Sequence, residues 1–286
     1  MAKGFVDLHM HTVASDGTQT IAQQVRRAKE RSLCCIAITD HDTISADLSA
    51  RVADWNGVEV ICGVEIKADF DGVAGEVLGY FVDPANGPLQ ELLSGMETAR
   101  TERMEQMVAR CRRHTGADIT MDDVRALADG NLGRPHLAKA LVAKGVAVSL
   151  QDAFDRFIAR GTPCHVPIEK SNYRDVVNTV HQAGGAAGIA HPCLMKVEDW
   201  AAFLDAARGA GMDAVEVFYP YNHAGRGLSI DPDLFRTLAD ARGFLLAGGS
   251  DDHGPNSTKE SMGDIRIPYE RVDALKAVLP IPLQTT

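Results

Sequence analysis

The sequence predicts an α/β barrel of seven strands, similar in plan to a TIM barrel, with one helical insertion. Two observations predict it. Short apolar runs alternate with amphipathic helical segments over most of the chain, and this alternation stops at residues 89–161, where the pattern is helical throughout. Because parallel strands need a crossover helix between them, the alternation favours a parallel sheet. We therefore expect residues 1–88 and 162–286 to form the barrel and residues 89–161 to form the insertion, as a lid over the substrate.

The barrel elements follow in order. The predicted strands are Phe5–His11, Cys35–Thr39, Val58–Glu65, Glu76–Phe81, Ala187–Ala190, Ala214–Phe218 and Phe244–Ala247. Thr20–Arg31 and Val176–Ala183 have apolar residues at helical spacing and are predicted helices. The insertion is expected to contain the helices Leu89–His114, Met121–Ala128, Pro135–Lys144 and Gln151–Arg160, with Gly145 and Gly161 ending two of them.

Net charge, the length of apolar runs and the cysteine content limit the classes of function that the chain can have. The net charge of the 286-residue chain is −10, which disfavours general nucleic-acid binding. The insertion is nearly neutral, with 11 Lys and Arg against 10 Asp and Glu, so the excess of acidic residues belongs to the barrel. No apolar run reaches membrane-spanning length, and the first strand begins too early for a signal peptide. We expect a cytoplasmic protein whose six cysteines are reduced.

A metal site is predicted from side chains near the strand ends. His9 and His11 lie two residues apart on a strand, so both imidazoles point to the same side. Loops after the strands of a parallel barrel meet at one end, where further ligand types would converge. Glu76 is the exception, because it opens its predicted strand. The candidate ligands are His9, His11, Asp16, His41, Glu65, Glu76, His191, Asp251 and His253.

The motifs around these residues resemble those of the PHP family, the polymerase-and-histidinol-phosphatase superfamily of metal-dependent phosphoesterases. The matching segments are Asp7-Leu8-His9-Met10-His11, Ser15-Asp16-Gly17, Ile38-Thr39-Asp40-His41-Asp42, Gly63-Val64-Glu65-Ile66, Ala190-His191-Pro192 and Gly249-Ser250-Asp251-Asp252-His253. The resemblance implies a distorted (β/α)7 barrel and, commonly, a site for three metal ions.

The resemblance also implies how the ligands are grouped. His9, His11, Glu65 and Asp251 would hold one metal; Glu65, His191 and residue 76 a second; and Asp16, His41 and His253 a third. Position 76 departs from the commonest family pattern, which has histidine there. A carboxylate at this position favours a harder ion, so we expect two or three Mn²⁺ ions, with Fe²⁺, Mg²⁺ or Zn²⁺ as alternatives.

The insertion points to a nucleotide substrate. Gly133-Arg134-Pro135-His136 opens a helix, where Arg134 and free backbone amides suit a phosphate. This element resembles a PHP branch that acts on nucleoside 3',5'-bisphosphates and on the 5' ends of short RNAs. The resemblance implies a phosphatase that removes the 3'-phosphate to give nucleoside 5'-monophosphates, together with 5'-3' trimming of short RNA. Arg134 and His136 are the expected substrate contacts.

The expected nucleophile is a hydroxide supplied by the metal site, with no protein nucleophile. His223 is a candidate substrate contact and proton donor, although an ordinary loop histidine is an equal alternative. The expected partners are a nucleotide and short RNA, without a membrane or a stable nucleic-acid complex. Two other functions stay open: a histidinol phosphatase or general phosphomonoesterase, and a non-catalytic metal-binding PHP module. Metal analysis together with turnover of a nucleoside bisphosphate would separate all three functions.

Overall fold

The computed structural model of the chain describes residues 4–128, 132–168, 170–221, 227–255, 257 and 259–283. The chain divides into two compact units. One comprises Met1–Leu92 and Lys170–Thr286 and is called the barrel unit here; the other, Leu93–Glu169, is called the insertion unit.

The barrel unit contains one twisted sheet. Its strands are β1 (Phe5–Met10), β2 (Leu33–Ile38), β3 (Val52–Trp55), β4 (Val58–Phe70), β5 (Val73–Tyr80), β6 (Ser171–Asn172), β7 (Ala186–Ile189), β8 (Ala214–Phe218), β9 (Leu245–Gly248) and β10 (Ile267–Pro268). The order along the sheet is β10-β1-β2-β4-β5-β7-β8-β9, with β3 and β6 paired to β4. The sheet nearly closes after β9, because the His11 N–H donates to the Asp252 carbonyl at 2.9 Å. The predicted barrel is therefore confirmed.

The helices of the described residues are α1 (Ile21–Glu30), α2 (Gly87–Thr115), α3 (Met121–Arg125), α4 (Arg134–Ala143), α5 (Leu150–Ala153), α6 (Tyr173–Gln182), α7 (Trp200–Gly209), α8 (Pro232–Asp240) and α9 (Glu270–Ala277). A capping box begins α1: the Thr20 hydroxyl accepts from the Gln23 N–H, and the Gln23 side chain accepts from the Thr20 N–H. None of the described helices is both long and apolar enough to cross a membrane.

Three strands contradict the expectation of an all-parallel barrel. β10 runs antiparallel to β1, and β3 runs antiparallel to β4. β5 runs antiparallel to both β4 and β7. Asp71 and Gly72 form the two-residue loop between β4 and β5, and both have positive φ, at 52° and 94°. This is the loop that joins antiparallel strands in a tight hairpin, so no crossover helix separates β4 from β5. β4 consequently continues to Phe70, five residues beyond its predicted end at Glu65.

Each unit has its own apolar core. In the barrel unit, side chains from β1, β2, β4, β5 and α9 pack together, among them Leu8, Ile61 and Leu78. In the insertion unit, Met107, Leu137 and Phe157 belong to a separate cluster built by α2, α4 and the π-helical turn Phe154–Ile158 that follows α5. Burial of these side chains is the main stabilising contribution to each unit.

Candidate metal centre

Most candidate ligands follow a barrel strand, as the sequence predicts. His9 lies on β1 and His11 follows it, while His41 follows β2 and His191 follows β7. Asp251 and His253 follow β9, and Asp16 lies in the loop between β1 and α1. Backbone pairing brings these segments together. The Asp251 N–H donates to the His9 carbonyl at 2.8 Å, and the backbones of His41 and Glu65 pair as an isolated parallel β-bridge.

Glu65 and Glu76 reach the same place from the middle of strands. The predictions that Glu65 ends a strand and that Glu76 opens one are both wrong, because the β4–β5 hairpin extends beyond them. In the antiparallel register Glu65 faces Leu78 and Lys67 faces Glu76. Directly opposed residues, and residues two apart, share a face of the sheet. Glu65, Lys67 and Glu76 therefore project to the same side of the hairpin.

The first predicted group of ligands is assembled around Glu65 and Asp251. His11 Nε2 lies 3.1 Å from Asp251 Oδ1, and His9 Nε2 lies 3.6 Å from the same oxygen. Both Nε2 atoms are 3.4 Å from Glu65 Oε2. These nitrogen and oxygen atoms converge from three separate segments of the barrel, as required to surround one ion.

The second group is centred on the other oxygen of Glu65. His191 Nε2 lies 3.0 Å from Glu65 Oε1 and 3.3 Å from Glu76 Oε2. His41, which the family resemblance places in the third group, contacts both of the other groups: its Nδ1 lies 2.8 Å from Glu65 Oε2, the oxygen of the first group, and 3.7 Å from Glu76 Oε1. Glu65 thus has one oxygen toward each group, as a bridging ligand requires.

The third group surrounds Asp16. His253 Nε2 lies 3.3 Å from Asp16 Oδ1, and His41 Nε2 lies 3.8 Å from Asp16 Oδ2. His11 presents its second ring nitrogen, Nδ1, at 3.9 Å from Asp16 Oδ1. Ligand atoms of His11, Asp16, His41 and His253 all lie within 4.8 Å of one another. All nine predicted ligands are therefore near neighbours in the barrel.

The donor set fits divalent cations. Among the residues that the structure describes, none forms a hydrogen bond with the buried His11 Nδ1. A buried ring nitrogen without a hydrogen bond is costly unless a ligand such as a metal ion satisfies it. Imidazole nitrogens mixed with carboxylate oxygens suit Mn²⁺, Fe²⁺ and Zn²⁺.

Electrostatics also favour a bound cation. Burial disfavours charge on Glu65, but His41 and His9 outweigh it and hold the pKa of Glu65 well below its usual value. Burial likewise disfavours charge on His191, but Glu65 and Glu76 raise its pKa to about 10. Burial, together with the neighbouring His41, lowers the pKa of His11 to about 3. The carboxylates therefore stay ionised and require positive charge among them, which divalent cations can supply.

Four side chains around the cluster were not predicted from the sequence. Glu216 contacts the His9 ring, and Lys67 Nζ lies 3.4 Å from Glu76 Oε1. The Tyr219 hydroxyl donates to Asp251 Oδ2 at 2.9 Å, and Lys259 forms an ion pair with the same oxygen. Of these four, Glu216 could have been identified from the sequence, because it is a charged residue inside the apolar run Ala214–Phe218.

Two of the three predicted substrate contacts belong to the insertion unit. Arg134 and His136 belong to α4 of the insertion unit, where His136 Nδ1 accepts from the Gly133 N–H at 3.1 Å. His223 lies outside the described residues. Their roles in substrate binding remain predictions.

Comparison with known proteins identifies the family. The PHP domain model matches residues 7–191, which contain seven of the nine candidate ligands. The chain belongs to the PHP family. A chain from Bifidobacterium adolescentis, described as an inferred metal-dependent phosphoesterase, has a similar structure, with a TM-score of 0.76, 29% identity and 95% of both chains covered.

Three curated relatives have named activities. A 3',5'-nucleoside bisphosphate phosphatase of Chromobacterium violaceum is 28% identical over 90% of both chains. A 5'-3' exoribonuclease of Haemophilus influenzae is 33% identical over 65% of this chain and 68% of its own. A phosphoribosyl 1,2-cyclic phosphate 1,2-diphosphodiesterase of Eggerthella lenta is 29% identical over 92% of this chain and 98% of its own. All three names describe cleavage of phosphate esters, so this chain is similar to phosphoesterases of different specificity.

Proposed function

We propose that this PHP protein is a metal-dependent phosphatase that removes the 3'-phosphate of nucleoside 3',5'-bisphosphates, giving nucleoside 5'-monophosphates. The observation that carries the proposal is the convergence of nine nitrogen- and oxygen-bearing side chains, among which Glu65 contacts four histidine rings through its two oxygens. The bisphosphate specificity draws on the relative from Chromobacterium violaceum, which this chain matches over 90% of both lengths.

The proposed metals are two or three Mn²⁺ ions. When bound by the nine ligands, they would activate water and neutralise charge on the phosphate. The chain's own residues prepare the site for this. Tyr219 and Lys259 hold one oxygen of Asp251 and leave the other toward His9 and His11. The side chains of Lys259 and Lys67 are 46% and 33% exposed, so their ammonium groups add positive charge near solvent, where an anionic substrate arrives.

Arg134 is proposed to anchor the 5'-phosphate. It occupies the first position of α4, and guanidinium groups bind phosphate through two parallel hydrogen bonds. We expect Arg134→Ala to raise KM for adenosine 3',5'-bisphosphate by about tenfold or more, the effect of losing a charge-assisted contact of about 1.5 kcal/mol or more. KM for phenyl phosphate should change much less. An equal effect on both substrates would contradict the anchoring role.

The test of the function is phosphate release in Mn²⁺. Adenosine 3',5'-bisphosphate is compared with 3'-AMP, histidinol phosphate and phenyl phosphate, and the nucleotide product is identified by chromatography. The proposal expects 5'-AMP and the highest kcat/KM for the bisphosphate. His9→Ala should abolish turnover and reduce the metal content. His181→Ala is the matched control, because His181 bonds Asp213 outside the cluster. Preference for histidinol phosphate, or full activity in His9→Ala, would contradict the proposal.

A second candidate is 5'-3' trimming of short RNA. It is favoured by the 33% identity with the exoribonuclease of Haemophilus influenzae. A 5'-phosphorylated RNA of five nucleotides distinguishes the two activities, because trimming releases mononucleotides whereas the phosphatase releases inorganic phosphate. Phosphoribosyl 1,2-cyclic phosphate serves as a third substrate, because the relative from Eggerthella lenta is named for its hydrolysis.

A further inference from the structure

Glu216 is a buried carboxylate that contacts two candidate ligands without belonging to the ligand set. It lies on β8, and the residue is only 1% exposed. Its two oxygens lie 3.1 Å and 3.2 Å from His9 Nδ1. Its Oε2 also accepts the backbone N–H of His191 at 2.7 Å. One carboxylate therefore connects a ligand on β1 with a ligand after β7.

The contact with His9 decides which ring nitrogen is available to a metal. A carboxylate only accepts hydrogen bonds, so the proton of the neutral His9 ring must lie on Nδ1. The lone pair of Nε2 then points into the cluster, where Nε2 lies 3.4 Å from Glu65 Oε2 and 3.6 Å from Asp251 Oδ1. The opposite tautomer would place N–H at the metal position and leave Nδ1 facing a carboxylate without a proton. Glu216 thus selects the tautomer that can bind a cation.

The contact with His191 stabilises an unusual backbone conformation. His191 has φ 29° and ψ 53°, in the left-handed region that residues with a side chain rarely adopt. Such a conformation is costly and persists only when neighbouring groups enforce it. The hydrogen bond from the His191 N–H to the Glu216 carboxylate is short and partly buried, so it contributes to holding the residue in place. Its ring then reaches Glu65 and Glu76.

We propose that Glu216 is a positioning residue of the metal centre, fixing the tautomer of His9 and the backbone of His191 so that both ligands reach the metals. Carboxylates behind ligating histidines raise metal affinity about 10–100-fold in other proteins. The inference rests on the metal centre of the proposed function and is independent of the phosphate ester that the protein cleaves.

The first test measures metal affinity by calorimetric titration of Mn²⁺ into the metal-free protein. Glu216→Gln keeps the shape of the side chain but has one carbonyl oxygen for two donors, so we expect Mn²⁺ to bind about 10–100-fold more weakly. Glu59→Gln is the matched control: Glu59 is a carboxylate of the same barrel that bonds Tyr269 and Lys276. Its Mn²⁺ affinity should stay within about twofold of wild type. Unchanged affinity in a folded Glu216→Gln variant would overturn the proposal.

The second test reads the tautomer directly and needs no variant of Glu216. In the ¹⁵N-histidine-labelled wild-type protein loaded with Zn²⁺, which is diamagnetic, two-bond nitrogen–proton correlations show which ring nitrogen carries the proton. The His9 signal is assigned by its loss in His9→Asn. We expect His9 protonated at Nδ1 and metal-bound at Nε2. Protonation at Nε2, or metal binding at Nδ1, would overturn the proposal even if Glu216→Gln failed to fold. Both readouts, the Mn²⁺ affinity and the tautomer of His9, are independent of phosphatase activity.

Discussion

The candidate metal centre takes its predicted ligands from two differently constructed regions of the barrel. His41, His191, Asp251 and His253 follow the ends of parallel strands, whereas Glu65 and Glu76 lie within the antiparallel β4–β5 hairpin. Two of the strand-end ligands, His191 and Asp251, have positive φ, at 29° and 55°. The hairpin ligands lie on a regular ladder that backbone hydrogen bonds hold in register. Ligands at strand ends therefore need neighbouring side chains to fix them, while the hairpin fixes its ligands through its own backbone.

Within the hairpin, the largest effect should follow the loss of the Glu65 carboxylate. Its carboxylate lies within 3.4 Å of ring nitrogens of His9, His11, His41 and His191, so it contacts two ligand groups at once. We expect Glu65→Gln to lower kcat by about 10²–10³-fold, the loss that follows removal of one strong electrostatic contact at an active site. Bound metal, measured by mass spectrometry, should fall in parallel.

Glu59→Gln is the control for this experiment as well, because Glu59 lies on the same strand as Glu65 and contacts Tyr269 and Lys276 instead. Its metal content and kcat should match those of wild type. A Glu65→Gln variant with the full metal complement would show that the hairpin is not the bridge between the ligand groups.

A smaller effect is expected when Glu76 is changed to histidine, the residue that the commonest family pattern has there. An imidazole in place of a carboxylate favours softer ions. We expect Glu76→His to shift the ratio of the Zn²⁺ and Mn²⁺ dissociation constants by about tenfold toward Zn²⁺, equivalent to about 1.4 kcal/mol. Competition titrations measure the ratio, with Glu76→Gln as a control that removes the charge without adding a nitrogen ligand. An unchanged ratio in Glu76→His would mean that residue 76 does not set the metal preference.

The two regions also differ in how well the sequence predicts them. The strand-end ligands could be predicted, because apolar runs followed by His41, His191 or Asp251 place those side chains at one end of a parallel barrel. The hairpin was predicted as a parallel strand pair because its apolar runs have the same composition as their neighbours. The Asp71-Gly72 pair was the signal for an antiparallel turn, since Asp-Gly is a preferred two-residue hairpin loop.

Side chains that support the ligands were the least predictable part of the site. Tyr219 and Lys259 lie 32 and 8 residues from Asp251 along the chain. No periodicity relates such positions, since their meeting depends on how the loops after β8 and β9 pack. Glu216 was easier to predict, because a buried carboxylate within an apolar strand needs a hydrogen-bonding or charged partner.

Loss of the Tyr219 hydroxyl tests whether a strand-end ligand needs side-chain support. The hydroxyl donates to Asp251 Oδ2, which Lys259 also contacts, so one of two supports would be removed. We expect Tyr219→Phe to lower kcat about fivefold, corresponding to about 1 kcal/mol for one hydrogen bond. Tyr269→Phe is the control, because that hydroxyl donates to Glu59 and not to a candidate ligand. Steady-state kinetics at saturating Mn²⁺ measures both, and equal rates in the two variants would show that Asp251 is held without Tyr219.

The smallest effect on catalysis is expected at the two turns that flank β4. Asn56-Gly57 precedes the strand and Asp71-Gly72 follows it, and both glycines have positive φ, at 84° and 94°, with open space around an added Cβ. We expect Gly57→Ala and Gly72→Ala each to lower the free energy of unfolding by about 1–2 kcal/mol, the cost of a left-handed conformation for a residue with a side chain. Urea denaturation of the metal-free proteins measures this loss. Mn²⁺ affinity should remain within about twofold of wild type in both, because the ladder from Gly63 to Phe70 still holds Glu65 and Glu76 in register. Weaker Mn²⁺ binding in Gly72→Ala alone would mean that the hairpin depends on its turn to place these ligands. It would contradict the conclusion that the strand ladder by itself holds Glu65 and Glu76 in position.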